Sequence, residues 1–191
     1  YLKIQDGCSQ FCSYCIIPYA RGPIRSRDEE DVLSEVRKLA ENGFKEVVLT
    51  GIHVASYGKD TKITNLLQVI KKVHEIEGIE RIRLSSIEPN IVTEEFASKM
   101  ASLPKACHHF HLSLQSGCEK TLKEMNRKYT AEKYAQAAEI LRKHMPDVAL
   151  TTDIIVGFPG ETDEDFEESY DFAKKIGFSK IHVFPYSPKR G

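Results

Sequence analysis

Cys8, Cys12 and Cys15 crowd three of the chain's five cysteines into eight residues. Spacings of four and three let one loop wrap a single metal centre with three thiolates. Iron–sulfur clusters are held by cysteine thiolates, four for a cubane. Three local thiolates with no obvious fourth leave one iron open for an exogenous ligand, the same logic that separates catalytic from structural zinc sites. The alternative is a structural zinc site, with a fourth ligand from Cys107, Cys118 or the histidines 108, 109 and 111. An odd cysteine count fits metal ligation in a reducing compartment better than a disulfide framework. Cys107 and Cys118 are expected to be free thiols, and the histidines to serve packing or polar lining.

The elements that must position this loop follow from periodicity. Short β-branched runs predict strands over Leu2–Gln5, Glu46–Thr50, Arg81–Ile87, His109–Leu114, Val148–Val156 and Lys180–Phe184. Amphipathic helices lie between them, with expected starts at Ser26 (with Glu29 as a capping box), Thr64, Thr93, Thr130 and Thr162, and stops at Gly43 and Gly177. Repeated βαβ units imply an α/β fold with a parallel sheet, either open and doubly wound or a partial (β/α)6 barrel. Alternation puts His109, His111, Ser113 and Gln115 on one side of the fourth strand, and Asp153 shares a side with Thr151 and Ile155. An open sheet covered by helices would be apolar on both faces. The polar face therefore favours a barrel lumen, with the site at the C-terminal strand ends.

Composition bounds the rest. The 191 residues suit one domain, 1–191, and the apolar (41%) and charged (29%) fractions are those of a soluble globular protein. Lys plus Arg (27) nearly balances Asp plus Glu (28), so nucleic-acid affinity would come from a local patch or another domain. No run is apolar enough to span a membrane and no secretory leader precedes Tyr1, so cytoplasm is expected. Strand-like runs reaching Tyr1 and Gly191 suggest a domain cut from a longer protein. Arg21, Arg25 and Arg27 form a basic loop after the cysteines, suited to phosphate contact near the cavity mouth. Lys120, Lys123, Arg127 and Lys128 read at least as well as a solvated charged face.

The loop Cys8–Cys15 resembles the signature of radical S-adenosylmethionine enzymes. More narrowly, the runs Cys12–Gly22, Thr50–Gly58, Ser85–Pro89, His111–Gly117 and Asp153–Glu161 resemble the methylthiotransferases. Thr50–Gly58 and Ser85–Pro89 are most similar to the branch acting on threonylcarbamoyladenosine in tRNA. Other branches act on isopentenyladenosine tRNA or a ribosomal-protein aspartate. The resemblance implies a radical SAM core whose 4Fe-4S cluster, on Cys8, Cys12 and Cys15, binds S-adenosylmethionine at its open iron and cleaves it to a 5′-deoxyadenosyl radical. Methylthiolation would fall on C2 of N6-threonylcarbamoyladenosine 37 of tRNA. It further implies an N-terminal domain with a second 4Fe-4S cluster, a C-terminal RNA-binding domain, the tRNA anticodon loop as partner, and an electron donor such as flavodoxin or ferredoxin. A fragment without those domains is expected to bind the cofactor but not to complete the reaction.

By the same resemblance, cofactor contacts fall on Tyr14, Gly51, Gly157 and Gly160. Independently of it, Ser86, Glu88, Gln115 and Asp153 at the strand ends offer hydrogen bonds to ribose hydroxyls or the methionine moiety. Ile155 on the side of Asp153 is a further cofactor contact, and Arg21, Arg25 and Arg27 are the candidate substrate contacts. The chain departs from the general Gly-Gly-Glu-Pro pattern after its second strand, so no carboxylate role passes to Ile52 or His53. Gly157–Glu161 also reads as an ordinary βα loop capped by Thr162. Ser86, Glu88, Gln115 and Asp153 also read as lumen polar groups satisfied by their neighbours. From a different class, a zinc-stabilised RNA-binding module without catalysis remains as the competing reading.

Overall fold

The computed structural model describes residues 1–188, so the expectation that touches Gly191 lies outside them. In chain order the elements are β1 (Leu2–Asp6), α1 (Ile17–Arg21), β2 (Arg25–Ser26), α2 (Glu29–Glu41), β3 (Glu46–Gly51), α3 (Leu66–His74), β4 (Arg81–Leu84), α4 (Glu94–Ala101), β5 (His109–His111), α5 (Glu119–Glu124), α6 (Ala131–His144), β6 (Ala149–Val156), α7 (Asp163–Ile176) and β7 (Lys180–Pro185). Single 3₁₀ turns occupy Val54–Ser56 and Pro89–Ile91.

The strands form two sheets, ordered β2-β1-β3-β4 and β5-β6-β7, and every pairing except β1 with β2 is parallel. Isolated parallel bridges, Ile82 to Ala106 and Ile87 to Leu112, stitch β4 to the chain around β5. The result is an arc in which β1, β3, β4, β5, β6 and β7 follow in chain order, with β2 added antiparallel at the β1 edge, and among the described residues no pairing of β1 with β7 closes it. One apolar core runs through both sheets. Leu2, Ile4 and Leu49 on one side and Phe110, Leu112 and Leu150 on the other are almost fully buried. Burying each such side chain stabilises the fold by about 1.5–3 kcal/mol. The expected alternation at 109–115 holds: Phe110, Leu112 and Leu114 are buried, while His109, His111, Ser113 and Gln115 are half-exposed to the lumen.

Several expectations are corrected. Helix α2 is capped by Asp28, whose carboxylate accepts from the Glu30 and Asp31 N–H groups. Ser26 is instead in β2 and bonds Asp60, so no capping box forms with Glu29. Asn65, not Thr64, caps α3, because the Thr64 hydroxyl donates to Glu29. Thr93, Thr130 and Thr162 cap as expected, the last in a full capping box with Asp165. The third and fourth strands are shorter than read, since extended chain beyond Leu84 and His111 keeps only single bridges. The supposed basic loop contains α1 and an antiparallel strand, β2, which pairs Asp6 with Arg25.

Candidate active site

Strand β1 stops at Gly7, whose left-handed φ of 70° turns the chain into the cysteine loop. Cys8 N–H donates to the Gly22 carbonyl (3.1 Å) and Cys15 N–H to the Cys12 carbonyl (2.9 Å), so the loop closes on itself. Across the lumen it is tied to the end of α5. Ser13 N–H donates to Met125 O (3.1 Å), its hydroxyl to Glu124 O (2.8 Å), and Asn126 Nδ2 to Phe11 O (2.7 Å). Those bonds hold Phe11 at φ 52°, a left-handed conformation that costs a bulky residue about 1–2 kcal/mol.

All three thiols open on one cavity of about 160 Å³, together with Gln10, Tyr14, His53, Ser86, Glu88 and Arg127. None of the five cysteines is in a disulfide. Burial pushes the Cys8 thiol pKa up, and negative charge on Cys12, Glu88 and Cys15 adds to this. Among the described residues no three His, Cys, Asp or Glu side chains converge on a single metal-ion position. A cubane does not require that, because its thiolates bind different irons. Three half-buried thiols of one loop on one cavity therefore fit a cluster, to which Cys8, Cys12 and Cys15 would be the ligands.

Opposite the thiols, Glu88 is held by three groups. Arg127 Nη2 donates to Oε1 (2.9 Å), Gln10 Nε2 donates to Oε2 (3.2 Å), and His53 Nε2 lies 3.1 Å from Oε2. The His53 contact has ion-pair distance without hydrogen-bond angles, and both ring nitrogens are buried without a hydrogen-bond partner. Arg127 is thus the stronger partner. Burial alone would raise the Glu88 pKa, but the contacts with His53 and Arg127 outweigh it and keep the carboxylate ionised. The solvated-face alternative does not hold for Arg127. Its side chain is 8% exposed, against 49% for Lys120, which pairs with Asp165 at the surface.

A second cavity of about 320 Å³ adjoins the first at Tyr14 and is lined by Gln115, Asp153, Ile155 and the segment Phe184–Ser187. Asp153 Oδ2 lies 3.1 Å from His111 Nε2, and His111 Nδ1 bonds Thr151 Oγ1 at 3.0 Å. Lumen polarity is thus linked along β5 and β6. Tyr14 packs edge-on to Phe158, which packs edge-on to Tyr186. Its hydroxyl pKa is pushed up to about 12 by burial, so it stays neutral.

The expected cofactor residues therefore divide. Tyr14, Ser86 and Glu88 line the thiol cavity, and Tyr14, Gln115, Asp153 and Ile155 the second. Gly51, Gly157 and Gly160 border neither. Gly51 lets β3 approach the Gln5 side chain, whose amide donates to Asp6 O and Gly7 O and whose Oε1 accepts from His53 N–H. Gly157 and Gly160 take positive φ in the turn that carries Phe158. Arg21 and Arg25 lie 4.0 and 3.7 Å from Asp6, Arg27 pairs with Glu35 at 2.8 Å, and none of the three lines either cavity.

A parallel arc that presents three cysteines of one loop beside a polar lumen defines a class, and comparison with known proteins places the chain in it. Residues 2–173 match the Radical SAM superfamily, and the chain belongs to that family. It is 48% identical over its full length to the threonylcarbamoyladenosine tRNA methylthiotransferase MtaB of Bacillus subtilis, covering 42% of that protein. It is 47% identical to the tRNA-2-methylthio-N(6)-dimethylallyladenosine synthase of Caldicellulosiruptor saccharolyticus, again along the whole chain and 41% of the relative. The chain thus spans about two fifths of the length of these curated relatives. Among solved structures, the radical S-adenosylmethionine methyltransferase TsrM from Kitasatospora setae shares the fold with a TM-score of 0.78 and 18% identity, over 96% of this chain and 36% of that one. Family membership implies a 4Fe-4S cluster and S-adenosylmethionine.

Proposed function

We propose that this chain is the catalytic core, residues 1–191, of a tRNA methylthiotransferase that acts on N6-threonylcarbamoyladenosine 37. The observation that carries the reading is the opening of Cys8, Cys12 and Cys15 on one cavity, continued past Tyr14 by a second cavity lined with Gln115 and Asp153. Cys8, Cys12 and Cys15 would hold a 4Fe-4S cluster, which when bound would pass an electron from an external donor to the sulfonium of S-adenosylmethionine. The residues of the chain bind and orient the cofactor. Gln115 and Asp153 offer a donor and acceptors for ribose hydroxyls, and Ile155 an apolar wall. Tyr14, neutral and wedged against Phe158, supplies a flat face for the adenine. The ionised Glu88 suits the ammonium of the methionine moiety. Arg21 and Arg25, exposed beside the loop, suit tRNA phosphate.

The curated relatives that act on threonylcarbamoyladenosine and on dimethylallyladenosine are about equally similar to this chain. The first substrate is favoured by the likeness of Thr50–Gly58 and Ser85–Pro89. A second cluster, an RNA-binding domain and a flavodoxin- or ferredoxin-like donor belong to the longer protein in this reading, which works in the cytoplasm. No described helix is long and apolar enough to cross a membrane. The test is anaerobic reconstitution with iron and sulfide, followed by S-adenosylmethionine and a strong reductant. A brown protein that forms 5′-deoxyadenosine is expected, and the triple Cys8→Ala, Cys12→Ala, Cys15→Ala variant should bind no iron and form none. A colourless protein that holds one zinc would overturn the reading in favour of a non-catalytic module.

A further inference from the structure

Arg127 reaches the cysteine loop as well as the lumen. Its Nη1 donates to Cys12 Sγ at 3.2 Å and lies 3.4 Å from the Tyr14 hydroxyl. Nη2 donates to Glu88 (2.9 Å), and Nε donates to the Tyr129 hydroxyl (2.9 Å), which itself donates to the Ser113 and Leu114 carbonyls. The guanidinium is also 4.8 Å from the centre of the Tyr129 ring. A planar fork pinned on three edges in a buried site has one orientation, which a flexible lysine ammonium would not hold. The Cys12 sulfur it touches is the atom an iron of the cluster would bind.

We propose that Arg127 is a positioning residue for cluster redox chemistry: its N–H and its charge, aimed at Cys12 Sγ and held there by Glu88 and Tyr129, raise the reduction potential of the cluster. This rests on the cluster assignment to Cys8, Cys12 and Cys15. Reduction adds one electron from an external donor to the oxidised cluster and breaks no bond, leaving more negative charge on the sulfurs. A donor and a cation at one of those sulfurs stabilise the reduced state over the oxidised one. The paired Glu88 carboxylate acts in the opposite direction, so the two side chains set the potential between them.

The test is an EPR-monitored redox titration of the reconstituted chain without S-adenosylmethionine. Arg127→Met alone leaves Glu88 buried without its main partner and risks misfolding, so the comparison is Glu88→Gln against Arg127→Met/Glu88→Gln. Both lack the carboxylate: in the single variant a glutamine at position 88 keeps an amide oxygen that can accept from Arg127, and in the double variant the buried pair is removed together, which is far milder than leaving a buried carboxylate without its cation. Glu88→Gln should titrate above the wild type. The double variant should titrate below Glu88→Gln by about tenfold in the reduction equilibrium, roughly 59 mV for one electron, with iron content unchanged. Should the double variant not load iron, Arg127→Lys is titrated in its place, with a midpoint below the wild type expected. Coincident midpoints at full iron content, or loss of the cluster from both Arg127 variants, would overturn the proposal. Iron retained by the triple cysteine variant would instead overturn the cluster assignment.

Discussion

At Gly7 a Cβ would lie 1.9 Å from the Pro23 carbonyl oxygen, and φ is 70°. No side chain fits there without moving the backbone that starts the cysteine loop. Gly7→Ala is therefore expected to bind much less iron on reconstitution while keeping its helical circular dichroism. Arg127→Met leaves a buried carboxylate, and breaking one side of such a pair costs about 3–5 kcal/mol, to be read from denaturant unfolding of the iron-free chain. The double variant with Glu88→Gln should recover most of that loss. The cysteines and Arg127 are both legible in the sequence, but unequally. The cysteines announce themselves by spacing, whereas Arg127 sits among Lys120, Lys123 and Lys128 and looks like any surface cation. Only the fold shows that its neighbours are Cys12, Tyr14 and Glu88.

At the scale of elements, helix α7 shows how a local signal carries through. Thr162 accepts from Asp165 N–H at 3.2 Å and Asp165 Oδ2 accepts from Thr162 N–H at 2.9 Å. Thr162→Ala should destabilise the chain by about 1 kcal/mol, measured as a lower denaturation midpoint. The Asp165 carboxyl is depressed to about 2, first by its bond from Lys120 and next by the cap N–H. Because the folded pKa lies below the ordinary value of 3.8, its contribution is fully present above that value and is lost as pH falls through about 2. A carbon-13 NMR titration should place the Asp165 midpoint near 2, and Lys120→Ala should move it upward. The capping errors at α2 and α3 have one cause. Ser26 and Thr64 are good cap residues, but their hydroxyls bond distant carboxylates, Asp60 and Glu29, and a neighbouring Asp28 or Asn65 takes over.

Across the whole molecule, two sheets share one core, and Leu49 and Leu112 are both fully buried in it. Leu49→Ala and Leu112→Ala should each cost about 2–5 kcal/mol. Each should also lower the same single unfolding transition rather than split it, as followed by fluorescence and circular dichroism together. The short α1, α5 and antiparallel β2 apart, the sequence by itself determined the order of the six parallel strands and of the five longer helices between them, and the cysteine loop after β1. Those rest on period and spacing, which are local and survive without knowledge of distant contacts. It also determined that one face of the fourth strand is polar, through alternation at 109–115. Tertiary structure alone decided which polar residues meet. It divided the lumen into two cavities at Tyr14, took Arg21, Arg25 and Arg27 out of them, and brought Arg127 in. The physical reason is that burial and pairing depend on groups far apart in the chain, such as Cys12 with Arg127 and His53 with Glu88, and no periodicity encodes those distances.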